Sequence, residues 1–170
     1  MLEQKQVEAL REQVTSRLAH LTGPWVGKNA NYELGLCAAL EWSCIRERYR
    51  DATWNSVDIE IKKGHSVWLD LVRYSELLTM RPPPQDSFTT FFLPNKEKTA
   101  IARVLGVRTS TLIRQLHLTE SLTENLLVLH RVVPRSLNAQ ASLTVKDISL
   151  FCDFDISTTE PASISVNREE

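Results

Sequence analysis

The chain has few of the residues that mark specialised classes of protein. It contains only three cysteines, none of them in a CxxC or Cys/His spacing typical of a zinc site. An odd number without a repeated spacing favours reduced thiols in a reducing compartment over a disulfide framework. There are only five glycines and no phosphate-cradling glycine loop, which argues against a nucleotide-binding fold.

Long hydrophobic runs and an excess of either charge are also missing. No apolar run approaches the roughly 18 residues that a membrane span requires, and the charged N-terminus MLEQKQVEALREQ has no apolar signal core. The net charge of -1 argues against a DNA clamp that works by bulk electrostatics alone, although a local basic surface can lie on a neutral protein. We therefore expect a cytoplasmic protein that does not bind a membrane.

The length and composition are those of one ordinary globular domain. The 170 residues suffice for one core, and 42% of them are hydrophobic and 24% charged. Residues 157–170 are polar, include Pro161 and show no hydrophobic period, so we expect a flexible C-terminal tail there. The folded domain is then expected to span residues 1–156.

Hydrophobic spacing predicts helices interspersed with short strands, which is typical of an α/β or α+β domain with a mixed sheet flanked by helices. Apolar residues three and four apart predict helices over residues 2–21, 32–49, 66–80 and 118–132. Stretches rich in β-branched and aromatic residues predict strands over residues 51–54, 57–62 and 88–93, and another within 141–151.

The segment 51–62 is predicted to be a β-hairpin with one charged face. A two-residue turn at positions 55 and 56 sets its register, because Asn tolerates the positive φ of such turns. Asp51 then lies opposite Glu60, with Cβ atoms about 5 Å apart. Side chains alternate along the second strand, so Asp58 and Lys62 share the face of Glu60. We expect truncation of Glu60 or Lys62 to remove charge without opening a cavity.

Two adjacent carboxylates and a lysine suggest metal-dependent hydrolysis. Carboxylates this close repel each other unless a cation lies between them. Mg²⁺ takes one or two carboxylates from a protein and leaves its other positions to water and phosphate oxygens. A metal at Asp51 and Glu60 would activate water, while Lys62 adds positive charge near the scissile phosphate. The competing interpretation is a solvated charged face on an edge strand.

The same residues resemble a known superfamily. Asp51, nine residues before Glu60-Ile-Lys62, looks like the Asp…Glu-x-Lys signature of the PD-(D/E)XK nucleases, which include many type II restriction endonucleases. The predicted order of elements is also similar to their αβββαβ core. The resemblance implies a restriction-endonuclease-like fold, with Asp51 and Glu60 as metal ligands and Lys62 as the catalytic lysine. Glu33 matches an extra helical acid of some members, no proline precedes Asp51, and Asp58 competes for the role of Asp51.

The function that this resemblance implies is hydrolysis of phosphodiester bonds in DNA. The cofactor is expected to be Mg²⁺, with Mn²⁺ as a substitute, and the nuclease-like domain would span residues 1–156. We also expect a homodimer, because one such domain carries one metal site and cuts one strand. Palindromic duplex targets mirror the two-fold symmetry of a dimer.

Residues 98–116 support an alternative function. They resemble a helix-turn-helix whose recognition helix carries Arg108, Arg114 and Gln115, and on this interpretation the chain is a non-enzymatic DNA-binding regulator. The competing interpretation is a second hairpin of residues 88–93 with 99–107, followed by a short helix capped at position 109 or 110. We favour the hairpin, because a strand precedes the segment where a supporting helix is needed.

Overall fold

The chain folds around a mixed sheet of six strands. The computed structural model describes residues 2–132 and 139–158. The strands of this sheet are β1 (Ser43–Glu47), β2 (Arg50–Trp54), β3 (Val57–Lys63), β5 (Phe88–Pro94), β6 (Ile101–Arg108) and β8 (Phe154–Ser157). They lie side by side in the order β1-β2-β3-β5-β6-β8. Neighbouring strands are antiparallel except β3 and β5, which are parallel.

A small second sheet and six α-helices complete the described elements. The second sheet pairs β4 (Ser66–Asp70) with β7 (Gln140–Thr144) in antiparallel fashion. The helices are α1 (Gln4–Arg17), α2 (Tyr32–Leu40), α3 (Leu71–Thr79), α4 (Thr109–Gln115), α5 (Glu120–Val132) and α6 (Val145–Ser149). Two short 3₁₀ segments, Leu18–His20 and Pro24–Gly27, follow α1. No helix in the described part of the chain is long and apolar enough to cross a membrane.

Apolar side chains on both faces of the large sheet form two core clusters. Ile59 and Ile61 of β3 pack with residues of α1 and α2 on one face. Phe91 and Leu93 of β5 pack with Tyr74 of α3 and with residues of β4 on the other. A central strand covered on both faces is buried along its length, and every residue of β5 except Pro94 is buried. The protein is therefore a single α+β domain with a mixed sheet flanked by helices, as the sequence predicts at this level.

The predicted helix over residues 32–49 is wrong beyond Leu40. Glu41 has a left-handed backbone with φ 58°, and the amide of Trp42 bonds to the Cys37 carbonyl at 2.9 Å, which ends α2. The chain then continues as β1, where Cys44 pairs with Ala52 of β2. The spacing of apolar residues fits a continued helix equally well, but the ladder with β2 satisfies the backbone of this segment instead.

The predicted helix over residues 66–80 begins five residues too early. Residues 66–70 alternate between exposed and buried and form β4, which pairs with β7 about 75 residues further along the chain. Helix α3 starts only at Leu71, because the Asp70 carboxylate accepts hydrogen bonds from the amides of Val72 and Arg73. This start places Arg73 in the first turn of α3.

The helix-turn-helix interpretation of residues 98–116 is wrong, and the hairpin is right. Residues Phe88–Arg108 form the β5–β6 hairpin, and only the short helix α4 follows. The N-cap of α4 is Arg108 rather than position 109 or 110, and Arg108 forms an ion pair with Asp153. The segment therefore lacks the first helix that a helix-turn-helix requires.

The C-terminal part of the described chain departs from the sequence prediction in two elements, because the sequence predicted neither α6 nor β8. The strand within residues 141–151 is present as β7, and the helix over 118–132 is present as α5. The sequence did not predict β8, which pairs with β6 and includes Ser157, the first residue of the expected tail. Residues 159–170, with Pro161, lie outside the described residues.

The absence of a side chain at Gly106 on β6 makes room for two stacked aromatic rings. The rings of Phe88 and Phe154 stack with centroids 5.4 Å apart, and a Cβ at Gly106 would lie 2.4 Å from an atom of each ring. We expect Gly106→Ala to lower the free energy of unfolding by about 1–3 kcal/mol through overpacking, measured by urea denaturation. Adding Phe154→Leu should cost less than the two single changes together, because the smaller side chain makes room. Wild-type stability of Gly106→Ala would contradict this packing.

Candidate functional site

The hairpin of β2 and β3 has the register that the sequence predicts. Trp54 pairs with Val57, Thr53 with Asp58 and Ala52 with Ile59. The two turn residues, at positions 55 and 56, have φ values of 48° and 65°. Both values lie in the left-handed region that a two-residue turn of this kind requires. The hairpin therefore directs Asp51 towards the segment of β3 that contains Glu60.

Asp51 contacts β3 through its side chain. The paired residues of β2 and β3 extend only to Ala52 and Ile59. Two residues beyond Ile59, the amide of Ile61 donates a hydrogen bond of 2.7 Å to Oδ2 of Asp51. A carboxylate thus takes the place of a ladder bond, and Oδ1 of Asp51 has no hydrogen bond within the described residues. The half-buried carboxylate is fixed beside Glu60 and Lys62, so the structure brings the three predicted residues together.

Glu60 is buried and held by two cations. Its side chain is 6% exposed, and its Oε1 lies 3.0 Å from Nζ of Lys62 in an ion pair and accepts a hydrogen bond from Nη1 of Arg73 at 2.5 Å. The expectation that Glu60 can be truncated without structural cost is therefore wrong, because removal would leave the buried Arg73 without its partner. The solvated edge-strand interpretation also fails for Glu60, since β3 lies inside the sheet between β2 and β5.

Arg73 is the site residue that the sequence analysis missed. It lies between Val72 and Tyr74, both buried, and its guanidinium also donates to the backbone carbonyl of Tyr49 at 3.5 Å. An arginine flanked by apolar residues in the helix after the Glu-x-Lys motif was a usable signal. Apolar spacing alone did not place it on the buried face of this helix, because arginine is usually exposed.

Asp58 and Glu33 occupy different positions relative to the site. Asp58 pairs with Arg50, with Oδ1 3.0 Å from Nη1, and so is engaged away from Glu60. Glu33 on α2 lies 3.8 Å from Arg46, yet its charge contributes to the raised pKa of Asp51. The structure therefore places the helical acid near the predicted site and gives Asp58 a separate partner.

Burial and the charge of Glu60 raise the pKa of Asp51 to about 6. The hydrogen bond from Ile61 opposes this rise, Glu33 adds to it, and Lys62 opposes it weakly. Excess negative charge thus surrounds Asp51 even though two cations contact Glu60. This environment favours a bound cation over a further anion.

The free oxygens at the site suit a hard divalent ion. Oε2 of Glu60 is buried and has no hydrogen-bond partner among the described residues, a costly arrangement unless another group contacts it. Carboxylate oxygens are the ligands that Mg²⁺ prefers, and Mg²⁺ keeps several waters when only two carboxylates are offered. Across residues 2–132 and 139–158, no group of three or more His, Cys, Asp or Glu side chains is arranged to hold a metal. A metal here would therefore rest on Asp51 and Glu60, with water completing its shell.

No protein-family model matches the chain. The search of curated proteins gives no match either.

The buried pair of Glu60 and Arg73 should show strong energetic coupling. We expect Glu60→Met and Arg73→Met each to lower the free energy of unfolding by about 3–5 kcal/mol, because each leaves a buried charge without its main partner. The double variant should cost clearly less than the sum, since it removes both charges. Urea denaturation of the four chains measures the coupling.

A surface ion pair that involves the same helix provides the matched control. Arg48 contacts Glu76 of α3 with a half-exposed guanidinium, so Arg48→Met should cost only about 0–1 kcal/mol. Additive costs for Glu60→Met and Arg73→Met would show that the two side chains are not coupled as described.

The raised pKa of Asp51 makes a prediction for stability against pH. The ordinary value is 3.8 and the folded value about 6, so the folded state holds this proton more tightly than the unfolded state. Below about pH 4 Asp51 is protonated in both states and does not lower the free energy of unfolding. Above that pH it lowers the free energy of unfolding increasingly, until the pH exceeds about 6 and the effect levels off. We expect Asp51→Asn to match the wild type near pH 4 and to be more stable at pH 8, by at most roughly 2–3 kcal/mol.

Denaturation curves at several pH values between 4 and 8 test this expectation. Glu33→Gln should narrow the gap between the wild type and Asp51→Asn, because it removes one of the charges that raise the pKa. A gap that does not change with pH would contradict the assigned environment of Asp51.

Proposed function

We propose that the protein is a Mg²⁺-dependent endonuclease that hydrolyses phosphodiester bonds in DNA. The observation that carries the proposal is the junction of β2 and β3. There the Asp51 carboxylate is held on the Ile61 amide, next to the buried Glu60 with its unpartnered oxygen and the ammonium of Lys62. Two acids beside a lysine provide what metal-assisted attack on a phosphodiester requires.

The order and pairing of elements give independent support for a restriction-endonuclease-like fold. The series α2-β1-β2-β3-α3-β5 has the αβββαβ order of the PD-(D/E)XK core, with β4 added between β3 and α3. The first three strands pair antiparallel in sequence, and β5 joins β3 in parallel. Asp51 lies on the second of these strands and Glu60 and Lys62 on the third, which is where the resemblance requires them.

Each site residue has a distinct role in this proposal. Asp51 and Oε2 of Glu60 would hold the Mg²⁺ ion, which when bound lowers the pKa of a water and offsets charge on the phosphate. Arg73 and Lys62 both engage Oε1 of Glu60, so they orient the carboxylate and leave Oε2 for the ion. Lys62 is partly exposed, and its remaining protons can be donated to the attacking water or to a phosphate oxygen.

We also propose that the enzyme acts as a homodimer and accepts Mn²⁺ in place of Mg²⁺. One chain carries one such site, so cutting both strands of a duplex in one encounter takes two chains. Light scattering with and without DNA measures the assembly. A strictly monomeric chain would instead indicate an enzyme that nicks one strand.

Cleavage of supercoiled plasmid tests the function. We expect cleavage with Mg²⁺ or Mn²⁺ and none with a chelator. Asp51→Asn and Lys62→Met should each lower the rate by about 10²–10³-fold, because each removes a group that stabilises the transition state. Asp58→Asn is the matched control, since it lies on the same hairpin but pairs with Arg50, and it should retain activity within a few-fold.

Calorimetric titration with Mg²⁺ separates metal binding from cleavage. Asp51→Asn should weaken binding strongly, and Asp58→Asn should weaken it much less. If Asp58→Asn loses the metal and cleavage while Asp51→Asn keeps both, the site is assigned to the wrong acid. If the wild-type chain neither binds the ion nor cuts DNA, the proposed function is wrong.

A further inference from the structure

Three lysines lie on chain segments that come together where β3 ends, next to the proposed site. The Nζ atom of Lys63, the last residue of β3, donates to the backbone carbonyl of Lys28 at 3.3 Å. The same ammonium lies 4.4 Å from the centroid of the Tyr32 ring. Lys98 belongs to the turn between β5 and β6, and a Cβ built on Gly27 would lie 3.2 Å from its carbonyl oxygen. We refer to Lys28, Lys63 and Lys98 as the lysine cluster.

Rigid backbone holds the lysine cluster together. Lys98 has a φ of 55°, and its amide bonds to the carbonyl of Asn95 at 3.0 Å. The Asn95 side chain accepts from the next two amides, at 2.9 and 3.2 Å. The turn is also tied to the segment before Lys28, because the Gly23 amide bonds to the Thr99 carbonyl at 2.9 Å. Backbone positions held in this way are already ordered before a ligand binds.

The lysine cluster carries positive charge that no carboxylate in the described part of the chain balances as an ion pair. None of its three lysines forms an ion pair with any residue that the structure describes. Glu97 lies in the same turn but contacts none of them as an ion pair. Burial lowers the pKa of Lys63, and the positive charge of Lys98 lowers it further. An anion bound near both lysines would be attracted to these charges.

The lysine cluster adjoins the proposed site along the chain. Lys63 directly follows Lys62, whose ammonium contacts Glu60. The two side chains leave opposite faces of β3, so Lys62 points to the carboxylates while Lys63 points to Tyr32 on α2. A polyanion that crosses the end of β3 could contact both faces at once. The negative groups of such a polyanion must be spaced along it, because the lysines lie on three separate segments of the chain.

We propose that the lysine cluster binds the phosphate backbone of DNA on one side of the cleavage point. The inference rests on the proposed function and names the surface that positions its substrate. Lysines act on phosphates as point charges, so the contact should be electrostatic and independent of base sequence. It also explains how a chain with a net charge of -1 can bind DNA through a local basic surface.

Fluorescence anisotropy with a labelled 30-base-pair duplex, in buffer containing chelator so that no cleavage occurs, tests the inference. The test variant is Lys28→Gln/Lys63→Gln/Lys98→Asn, in which Asn is chosen because it tolerates a positive φ. Lys146→Gln removes an exposed lysine of α6 and serves as the control. We expect the triple variant to bind at least 10-fold more weakly, with a slope of log affinity against log salt reduced by about 2–3. The control should bind within two-fold of the wild type.

Two outcomes would overturn the inference. One is an unchanged affinity and salt slope in the triple variant, and the other is a wild-type chain that binds an RNA duplex through these lysines but not DNA. Lysine-dependent DNA binding without metal-dependent cleavage would support the lysine cluster and refute the nuclease. Cleavage that proceeds with unchanged binding in the triple variant would refute the lysine cluster alone.

Discussion

The ion pair of Glu60 and Arg73 links the central strand β3 to helix α3 across the interior of the domain. Two charges removed from water are tolerated only if each finds a partner, and here each is the main partner of the other. The Asp70 cap decides where α3 begins, and therefore whether Arg73 reaches Glu60. The packing of one helix and the chemistry of one strand thus depend on the same contact.

This contact bears on both the structure and the proposed chemistry. As a buried ion pair it could be purely structural, because such pairs occur without any catalytic role. Two features distinguish it from that case. Oε2 of Glu60 is buried and has no hydrogen-bond partner among the described residues, and burial together with the charge of Glu60 raises the pKa of Asp51 to about 6. A purely structural ion pair would not need a second acid beside it. A cation between Asp51 and Glu60 would compensate the charge of both carboxylates.

Charge on this protein is organised locally rather than overall. The acids Glu33, Asp51 and Glu60 converge from α2, β2 and β3, while the lysine cluster lies at the end of β3. The near-zero net charge of the chain does not indicate either surface, because attraction to a ligand depends on the charges within about 10 Å of it. Adjacent residues of one strand, Lys62 and Lys63, belong to the two surfaces because side chains alternate along a strand.

The sequence by itself determined the parts of the molecule in which interacting residues are close along the chain. The register of the β2–β3 hairpin follows from its two-residue turn and its alternating side chains, so the meeting of Asp51 with Glu60 was predictable, as was the β5–β6 hairpin. Only the tertiary structure decided the rest. The segment of β4 was predicted to be helical because its partner β7 is remote in the chain. The segment of β1 was predicted to be helical because apolar spacing does not indicate that Glu41 ends α2. The burial of Glu60 depends on Arg73 and on the neighbouring strand β5, and the lysine cluster depends on three separate segments. Local patterns specify which way a side chain points, whereas its solvation and its charged neighbours depend on what the rest of the chain packs against it.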